Sequence, residues 1–513
     1  MLEIKLNYNY GYKWFESDGI HVKGYLYDSN NNLYSEEKLI EYFKKIQTIK
    51  EFSQKIKEAN GVFSVIINTE FLNVFAVDRI RTFPLFYSKH NNTFYISDDA
   101  YNLQDTTGNK VNKLNSYEFL STGYITNKGT LIDNIFQLEA GKFVSFENGF
   151  KKHTYFHYLT DESVDDDYQF LKDKFLSLLD SSVTRAIKFA NGRQIVLPLS
   201  GGYDSRLIAT LLKKNKYHNV YCFTYGSKDS FEVDISKKVA DKLGFTWKFI
   251  EYNEETIPQD FPLSEEFLKY YKFASNHVSI FLTQDYFAVK YLNDNCLIDE
   301  DAIFMPGHTG DFICGGHIKN CRKSTSTKTL INDIINTHYN LNKNADLGVF
   351  KERLNNLKNI DKFSYSIYED WELKERQSKF IVNANRVYEY FNYKHIMPLW
   401  DASIIEFFRV MPLNQKLNSL FYIKVIFEEL FKSYDIDYKK VNKSNGNISS
   451  KIKSFVKLFL PSVIQNKLIQ RKFKDINKTS MRALPLLKEI DEKIHFSDGN
   501  LIIAKWILSK GNN

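Results

Sequence analysis

Residues 195–206, Ile-Val-Leu-Pro-Leu-Ser-Gly-Gly-Tyr-Asp-Ser-Arg, constrain the fold of this chain more than any other stretch. The apolar run Ile195 to Leu199 has strand character and stops at Ser200-Gly201-Gly202, after which Leu207 to Lys214 reads as a helix. Two glycines let the backbone approach a ligand closely. The free N–H groups that open the helix, together with its dipole, favour an anion at that turn. A phosphate meets that description: Ser200 and Ser205 supply hydroxyl donors, and Asp204 makes sense as a ligand to Mg²⁺ bridging phosphates. The turn is not a Walker A loop, because GxxxxGK[ST] is absent. A glycine-rich turn with a capping aspartate is the plainer alternative.

A chain of 513 residues is long enough for two or three domains. Its hydrophobic content of 43% and charged content of 26% are those of a globular protein. A net charge of +7, with lysines scattered rather than blocked, gives no reason to expect a nucleic-acid partner. Cys222, Cys296, Cys314 and Cys321 lack the paired spacing of a zinc site and the density of a disulfide scaffold, so a reducing, cytoplasmic setting is the expectation. No leader-like amino terminus and no window of about 18 apolar residues is present, so neither secretion nor a transmembrane segment is expected.

Residues 1 to about 155 read as β-rich. Val62–Ile67, Leu72–Val77, Leu85–Tyr87 and Thr93–Ser97 are short strands, and Ser35 to Ala59 reads as one helix. Thr160 to Asp167 is an acidic linker that opens a helix from Tyr168 to Asn191. Beyond the glycine turn come a strand at Val220–Tyr225, a helix at Glu232–Leu243, an aromatic helical stretch over 254–300, and a strand at Ile303 ending in Gly307-His308-Thr309-Gly310-Asp311. This order predicts a parallel sheet with helices on its faces and a ligand outside the carboxyl ends of the strands, where Ser200 and Tyr225 lie. Asp204 and Asp311, each on a loop at a strand end, suit one shared Mg²⁺, which takes one or two protein carboxylates and completes its shell with phosphate and water. Residues 320–380 read as polar and helical.

Ser-Gly-Gly-x-Asp-Ser resembles the pyrophosphate loop of ATP pyrophosphatases. Gly61-Val-Phe-Ser, Val77-Asp78-Arg79, Pro84-Leu85-Phe-Tyr87 and Tyr95-Ile-Ser-Asp98 look like the amino-terminal glutaminase domain of the asparagine synthetase family. Thr130–Ile135 and Leu138–Gly141 look like that domain's closing strands. Pro306-Gly307-His308-Thr309-Gly310-Asp311-Phe312 resembles the family's Ser-Gly-Glu-Gly-Ser-Asp-Glu, and Met397-Pro-Leu-Trp-Asp401 its Val-Pro-Phe-Leu-Asp, which shapes the substrate side. The resemblance implies an α/β chain. Residues 1–160 would form an Ntn-type, glutaminase-like α+β domain. Residues 161–513 would form a PP-loop ATP pyrophosphatase domain, adenine nucleotide α-hydrolase-like, with a parallel sheet and a helical C-terminal part.

The resemblance also implies ATP and Mg²⁺ as cofactors. It assigns ATP and pyrophosphate contacts to Leu199, Ser200, Gly201, Gly202, Asp204, Ser205, Tyr225 and Gly307, and metal binding to Asp204 and Asp311. Tyr225 falls in the segment that holds adenine through its backbone. Lys440 falls on the family's catalytic lysine, with only register favouring it over Lys439 and Lys443. His308 replaces an acid near the incoming amine. It reads either as a base, since an imidazole titrates near pH ~6.5, or as a loop histidine without chemistry.

The first half of the glutaminase-like domain departs from the family. Leu2 stands where the nucleophilic Cys would be, and a thiolate beside its own α-amine is what makes attack on glutamine feasible. The expected activity is therefore ATP-dependent amide formation from a small-molecule carboxylate and ammonia or an amine, without glutamine hydrolysis by this chain. A non-catalytic nucleotide-binding or assembly protein and a ring-closing amide synthetase are the alternatives. A homodimer or a separate ammonia supplier stays open. The basic, amphipathic stretch 449–474 would pack on its own protein or, less favoured, contact an anionic membrane surface.

Overall fold

The computed structural model describes residues 1–146, 149–160, 162, 167–318, 325–342, 344–438, 479–490 and 499–511. In the amino-terminal part the strands are β1 (Leu2–Lys5), β2 (Phe15–Ser17), β3 (Ile20–Tyr27), β4 (Leu33–Ser35), β5 (Asn60–Asn68), β6 (Asn73–Val77), β7 (Phe86–His90), β8 (Thr93–Ser97), β9 (Ile135–Gln137), β10 (Lys142–Phe146) and β11 (Phe150–Thr154). They make a seven-stranded sheet, ordered β11-β10-β6-β5-β3-β2 with β4 on β3, and a four-stranded sheet, ordered β1-β8-β7-β9.

Alternation along β5 sorts its side chains. Ile66 joins Phe75, Val77, Tyr87 and Ile96 between the two sheets, while Phe63, Val65 and Ile67 face helices α1 (Glu37–Phe43) and α2 (Ile49–Glu58). On the far side of the smaller sheet, Phe86 and Tyr95 share a core with α3 (Ala100–Thr107) and α4 (Lys113–Thr122). The layers thus run helix, sheet, sheet, helix.

Two expectations need correction here. The single helix over 35–59 is two helices, because Thr48 and Glu51 form a reciprocal capping box, with Glu51 N donating to Thr48 Oγ1 (3.2 Å) and Thr48 N to Glu51 Oε2 (3.1 Å). The closing strands are not at 130–135 and 138–141. They are β9 to β11, while Thr130 holds its own loop by accepting from Ile132 N and donating to Ile135 O.

The second part is built on five parallel strands, β12 (Ile195–Pro198), β13 (Val220–Gly226), β14 (Thr246–Glu251), β15 (Ile303–Phe304) and β16 (Lys394–His395), in the order β14-β13-β12-β15-β16. Helices α5 (Tyr168–Ala190), α6 (Tyr203–Lys214) and α7 (Phe231–Leu243) cover one face, where Ile195 and Leu197 point. Helices α8 (Glu265–Ser275) and α9 (Tyr286–Asp294) and the helix Gly499–Gly511 cover the other, where Val196 and Phe223 point. Residues 320–380, where described, are mostly helical, in Thr327–His338, Leu347–Asn359, Ser364–Glu372 and Leu373–Ile381.

The two parts are joined by specific polar contacts. Asp401 Oδ2 accepts from Asn60 Nδ2 (3.0 Å), Ala402 N donates to Asn60 Oδ1 (2.9 Å), and Tyr12 OH donates to His395 O (2.6 Å). Among the described residues no helix is long and apolar enough to cross a membrane.

Candidate functional site

A cavity of about 480 Å³ opens at the carboxyl ends of β12, β13 and β15, the place a parallel sheet leaves for a ligand. The turn after β12 forms its floor. Ser200 N donates to Ser205 Oγ (3.1 Å), and Gly202 N donates to Ser200 Oγ (3.1 Å). Gly202 caps α6 without a side-chain acceptor, so the first N–H groups of that helix are left for something else.

The loop after β15 lies directly on this turn. The backbone N–H of Asp311 donates to Asp204 Oδ2 (3.2 Å), and Tyr422 OH donates to Asp204 Oδ1 (2.7 Å). A Cβ at Gly307 would lie 2.6 Å from Ser205 N, and one at Gly310 would lie 2.5 Å from Asp204 Oδ1. Only glycine permits this approach at either position. The close packing brings Asp204 and Asp311, 107 residues apart, into adjoining loops. Asp311 is in turn held by Thr309 Oγ1 (3.1 Å) and His317 Nε2 (3.2 Å), and His317 Nδ1 lies 2.5 Å from Glu372 Oε1. Burial opposes ionisation of Asp311, but the hydrogen bond and charge of His317 outweigh it and hold the carboxyl down to about 2. Burial likewise favours the neutral His317 ring, and the two carboxylates beside it raise its pKa to about 9.

Tyr225 sits on the opposite wall. Leu199 N donates to Phe223 O (2.8 Å) while Tyr252 N donates to Gly226 O (2.9 Å), so alternate residues of β13 turn to β12 and to β14. Tyr225 is in phase with Phe223, and the β12–β13 ladder ends at Pro198 with Phe223. Its N–H and C=O therefore point to the side that β12 has already left. Its ring stacks on Tyr252 (centroids 5.2 Å apart), and its hydroxyl donates to Asp285 Oδ1. Asp285 is only 6% exposed. Burial raises its pKa, with the Tyr225 hydrogen bond and nearby His308 and Arg482 acting against the rise. His308 lines the same wall, with Nδ1 3.0 Å from Asn385 Oδ1.

Leu199, Ser200, Gly202, Asp204, Ser205, Tyr225, Gly307, His308 and Asp311 therefore come together around one cavity, with Gly201 inside the same turn. Lys439, Lys440 and Lys443, like the stretch 449–474, lie outside the described residues. The described chain reaches Tyr438 beside the turn, because buried Arg206 donates to Gly201 O (3.1 Å), Ile436 O (3.0 Å) and Tyr438 O (2.7 Å). Met397, Pro398, Trp400 and Asp401 line a neighbouring pocket, and Met397 Sδ meets Asn385, the residue that holds His308. Asp401 also joins the two sheet systems through Asn60. The sequence reading missed Asp285, His317, Asn385 and Tyr422, which are single polar residues without a local pattern. Only His317, directly after Gly315-Gly316, carried a positional hint.

The parallel α/β sheet thus carries, at its strand ends, a glycine turn opening a helix and a second, acidic loop laid across it around one cavity. Residues 174–443, more than half of the chain, match the family described as Asparagine synthase, and the chain belongs to that family. Its chemistry is, at the coarse level, ATP-dependent amide formation from small molecules. No curated protein matches the chain significantly.

Proposed function

We propose that the chain is an AMP-forming carbon–nitrogen ligase of the asparagine synthetase type that does not itself hydrolyse glutamine. On this reading residues 161–513 carry the synthetase and residues 1–160 are a glutaminase-like, Ntn-type domain reduced to scaffolding. The four-layer packing supports the second assignment. So does Leu2, at the place of the expected nucleophile, which packs against the core between the two sheets.

The observation that carries the proposal is the seating of the Gly307–Asp311 loop on the Ser200–Ser205 turn. ATP, consumed as a substrate, would lay its adenine along the open edge of Tyr225. Its β- and γ-phosphates would meet Ser200, Ser205 and the uncapped start of α6. The residues present fit one Mg²⁺. Asp204 and Asp311 supply two carboxylates, and Asp311 is held ionised; among the described residues no cluster of three or more metal-binding side chains completes a cage without the phosphates. Mg²⁺ when bound supplies neutralisation of the charge on the departing pyrophosphate.

In the first step a carboxylate oxygen attacks the α-phosphorus and the bond to pyrophosphate breaks. In the second, an amine nitrogen attacks the acyl carbon, the C–O bond to AMP breaks with its electron pair leaving on AMP, and the amine proton passes to His308. Asp285 lines the same wall of the cavity as His308. Lys440, which matches the family's catalytic lysine by register, is proposed to stabilise the charge on the attacked acyl group.

Pyrophosphate release from Mg-ATP, measured over a panel of carboxylates with and without ammonium, tests the reading. Carboxylate-dependent release that disappears in Asp204→Ala supports it. Bound ATP with no release under any condition would replace it with a non-catalytic nucleotide-binding role.

A further inference from the structure

We infer that Asn385 is a positioning residue: it fixes His308 as the tautomer protonated on Nδ1 and thereby presents a bare Nε2 to the cavity. The inference rests on the proposed role of His308 as the base of the amide-forming step, and it adds the group that makes the base competent.

The argument is one of hydrogen-bond accounting. Asn385 is buried, and its amide nitrogen donates to Val382 O (3.0 Å), a backbone carbonyl that can only accept. The same nitrogen touches Met397 Sδ (3.0 Å), a weak acceptor. The amide cannot be reversed, because its oxygen would then face a carbonyl oxygen. Oδ1 is therefore the atom that meets His308 Nδ1 at 3.0 Å, and as an acceptor it requires a proton on that nitrogen. In a neutral ring the second nitrogen is then an acceptor with a free lone pair. Nε2 of His308 receives no hydrogen bond from a described residue, and the ring lines the cavity between Gly307 and Asp285.

The opposite tautomer would carry its proton on Nε2 and could only donate there. It could not take a proton from an amine. With Nδ1–H anchored, Nε2 accepts the proton released as the amine nitrogen bonds to the acyl carbon and AMP departs. Asn385 touches neither reacting group and acts only through the ring.

Nitrogen-15 NMR of the full chain labelled in histidine reads the tautomer without any substrate. The His308 pair of signals is identified by its absence in His308→Gln. Near pH 8 the wild type is expected to show a protonated-type Nδ1 and a bare-type Nε2. Asn385→Asp, which still offers an acceptor, keeps the proton on Nδ1, and Asn385→Leu moves it toward Nε2. Amide formation by Asn385→Leu falls by about 10²-fold or more while carboxylate-dependent pyrophosphate release persists.

A wild-type His308 protonated on Nε2 overturns the inference, as does an Asn385→Leu spectrum identical to wild type. If Asn385→Leu does not fold, the wild-type and Asn385→Asp spectra still decide. An Nδ1–H ring in a protein that never releases pyrophosphate upholds the role of Asn385 in orienting the ring and sinks the ligase reading alone.

Discussion

Asp78 and Asp204 are both acids close behind a strand, one in the paired sheets and one at the start of α6 in the parallel sheet, and their surroundings could hardly differ more. Asp78 is 1% exposed and accepts from three backbone N–H groups of its own neighbourhood, Phe63 (3.1 Å), Ile80 (2.8 Å) and Thr82 (3.1 Å). Burial still pushes its pKa up to about 6. Asp204 instead accepts from Asp311 N on a distant loop and from Tyr422 OH, at the edge of a cavity. The first carboxylate holds its own turn closed. The second holds two loops in register around space for a ligand. What an aspartate does in a turn is decided by whose hydrogen bonds it accepts.

The contrast can be broken by exchanging the readouts. Asp204→Ala should lower carboxylate-dependent pyrophosphate release by about 10³-fold or more, since charge neutralisation at a phosphoryl centre is worth several kcal/mol. Its chemical-denaturation midpoint should stay near wild type. Asp78→Ala should do the reverse. Three buried N–H groups lose their acceptor at about 1–3 kcal/mol each, so an unfolding free energy lower by roughly 3 kcal/mol or more is expected. The folded fraction should keep its ATP affinity. A loss of activity in both variants with equal destabilisation would erase the distinction.

A smaller perturbation sharpens it. Gly310→Ala places a methyl group 2.5 Å from Asp204 Oδ1, whereas Gly149→Ala, in the turn between β10 and β11, meets no atom within 4 Å. The first should cost about 10- to 100-fold in pyrophosphate release by separating the loops, in line with the effect of misplacing reacting groups. The second should be silent in both kinetics and melting temperature.

The smallest effect tests whether the two sheet systems unfold together. His277, from the parallel-sheet part, lies 2.8 Å from Gln104 of α3, and burial keeps its ring neutral down to about 3. His395 at about 3 and His338 at about 4 are held neutral for the same reason. These folded-state values lie below the ordinary one near 6.5, so between them the unfolded chain binds more protons and stability falls as pH drops below about 6.5. Each ring contributes about 1.4 kcal/mol per pH unit well inside that window. His277→Gln should remove about one third of this histidine share of the loss between pH 7 and 5.5, seen in urea unfolding. An unchanged pH dependence would mean that the seam opens before the global transition.

Much of the scaffold was legible because it is written in local patterns. Ile195–Ser205 declared a strand, a turn and a helix. The order of elements declared a parallel sheet, and the short apolar runs from Val62 to Ser97 declared strands, though not how they pair. The break at Thr48 is also written locally, as Thr48-x-x-Glu51, a pattern that starts a helix.

Asp285, Asn385 and Tyr422 were not legible, for a different reason. Each earns its place through one partner far along the chain: Tyr225 at a separation of 60, His308 at 77 and Asp204 at 218. No window of sequence carries such a pairing. His308 was visible as a residue, but the state of its ring is set by an amide whose own orientation depends on Val382 and Met397.

Arg206 gives the glycine turn and the chain at 436–438 a shared fate. One guanidinium donates to Gly201 O and to the carbonyls of Ile436 and Tyr438, so neither end can shift without giving up bonds that hold the other. Coupling of this kind is reciprocal. On the proposed reading, free energy that a phosphate contributes by settling the turn would be felt as firmer anchorage at Tyr438, and firmer anchorage there would tighten the grip on phosphate by the same factor. Occupancy of the turn and anchorage of Tyr438 would thus form a single equilibrium, read from either side.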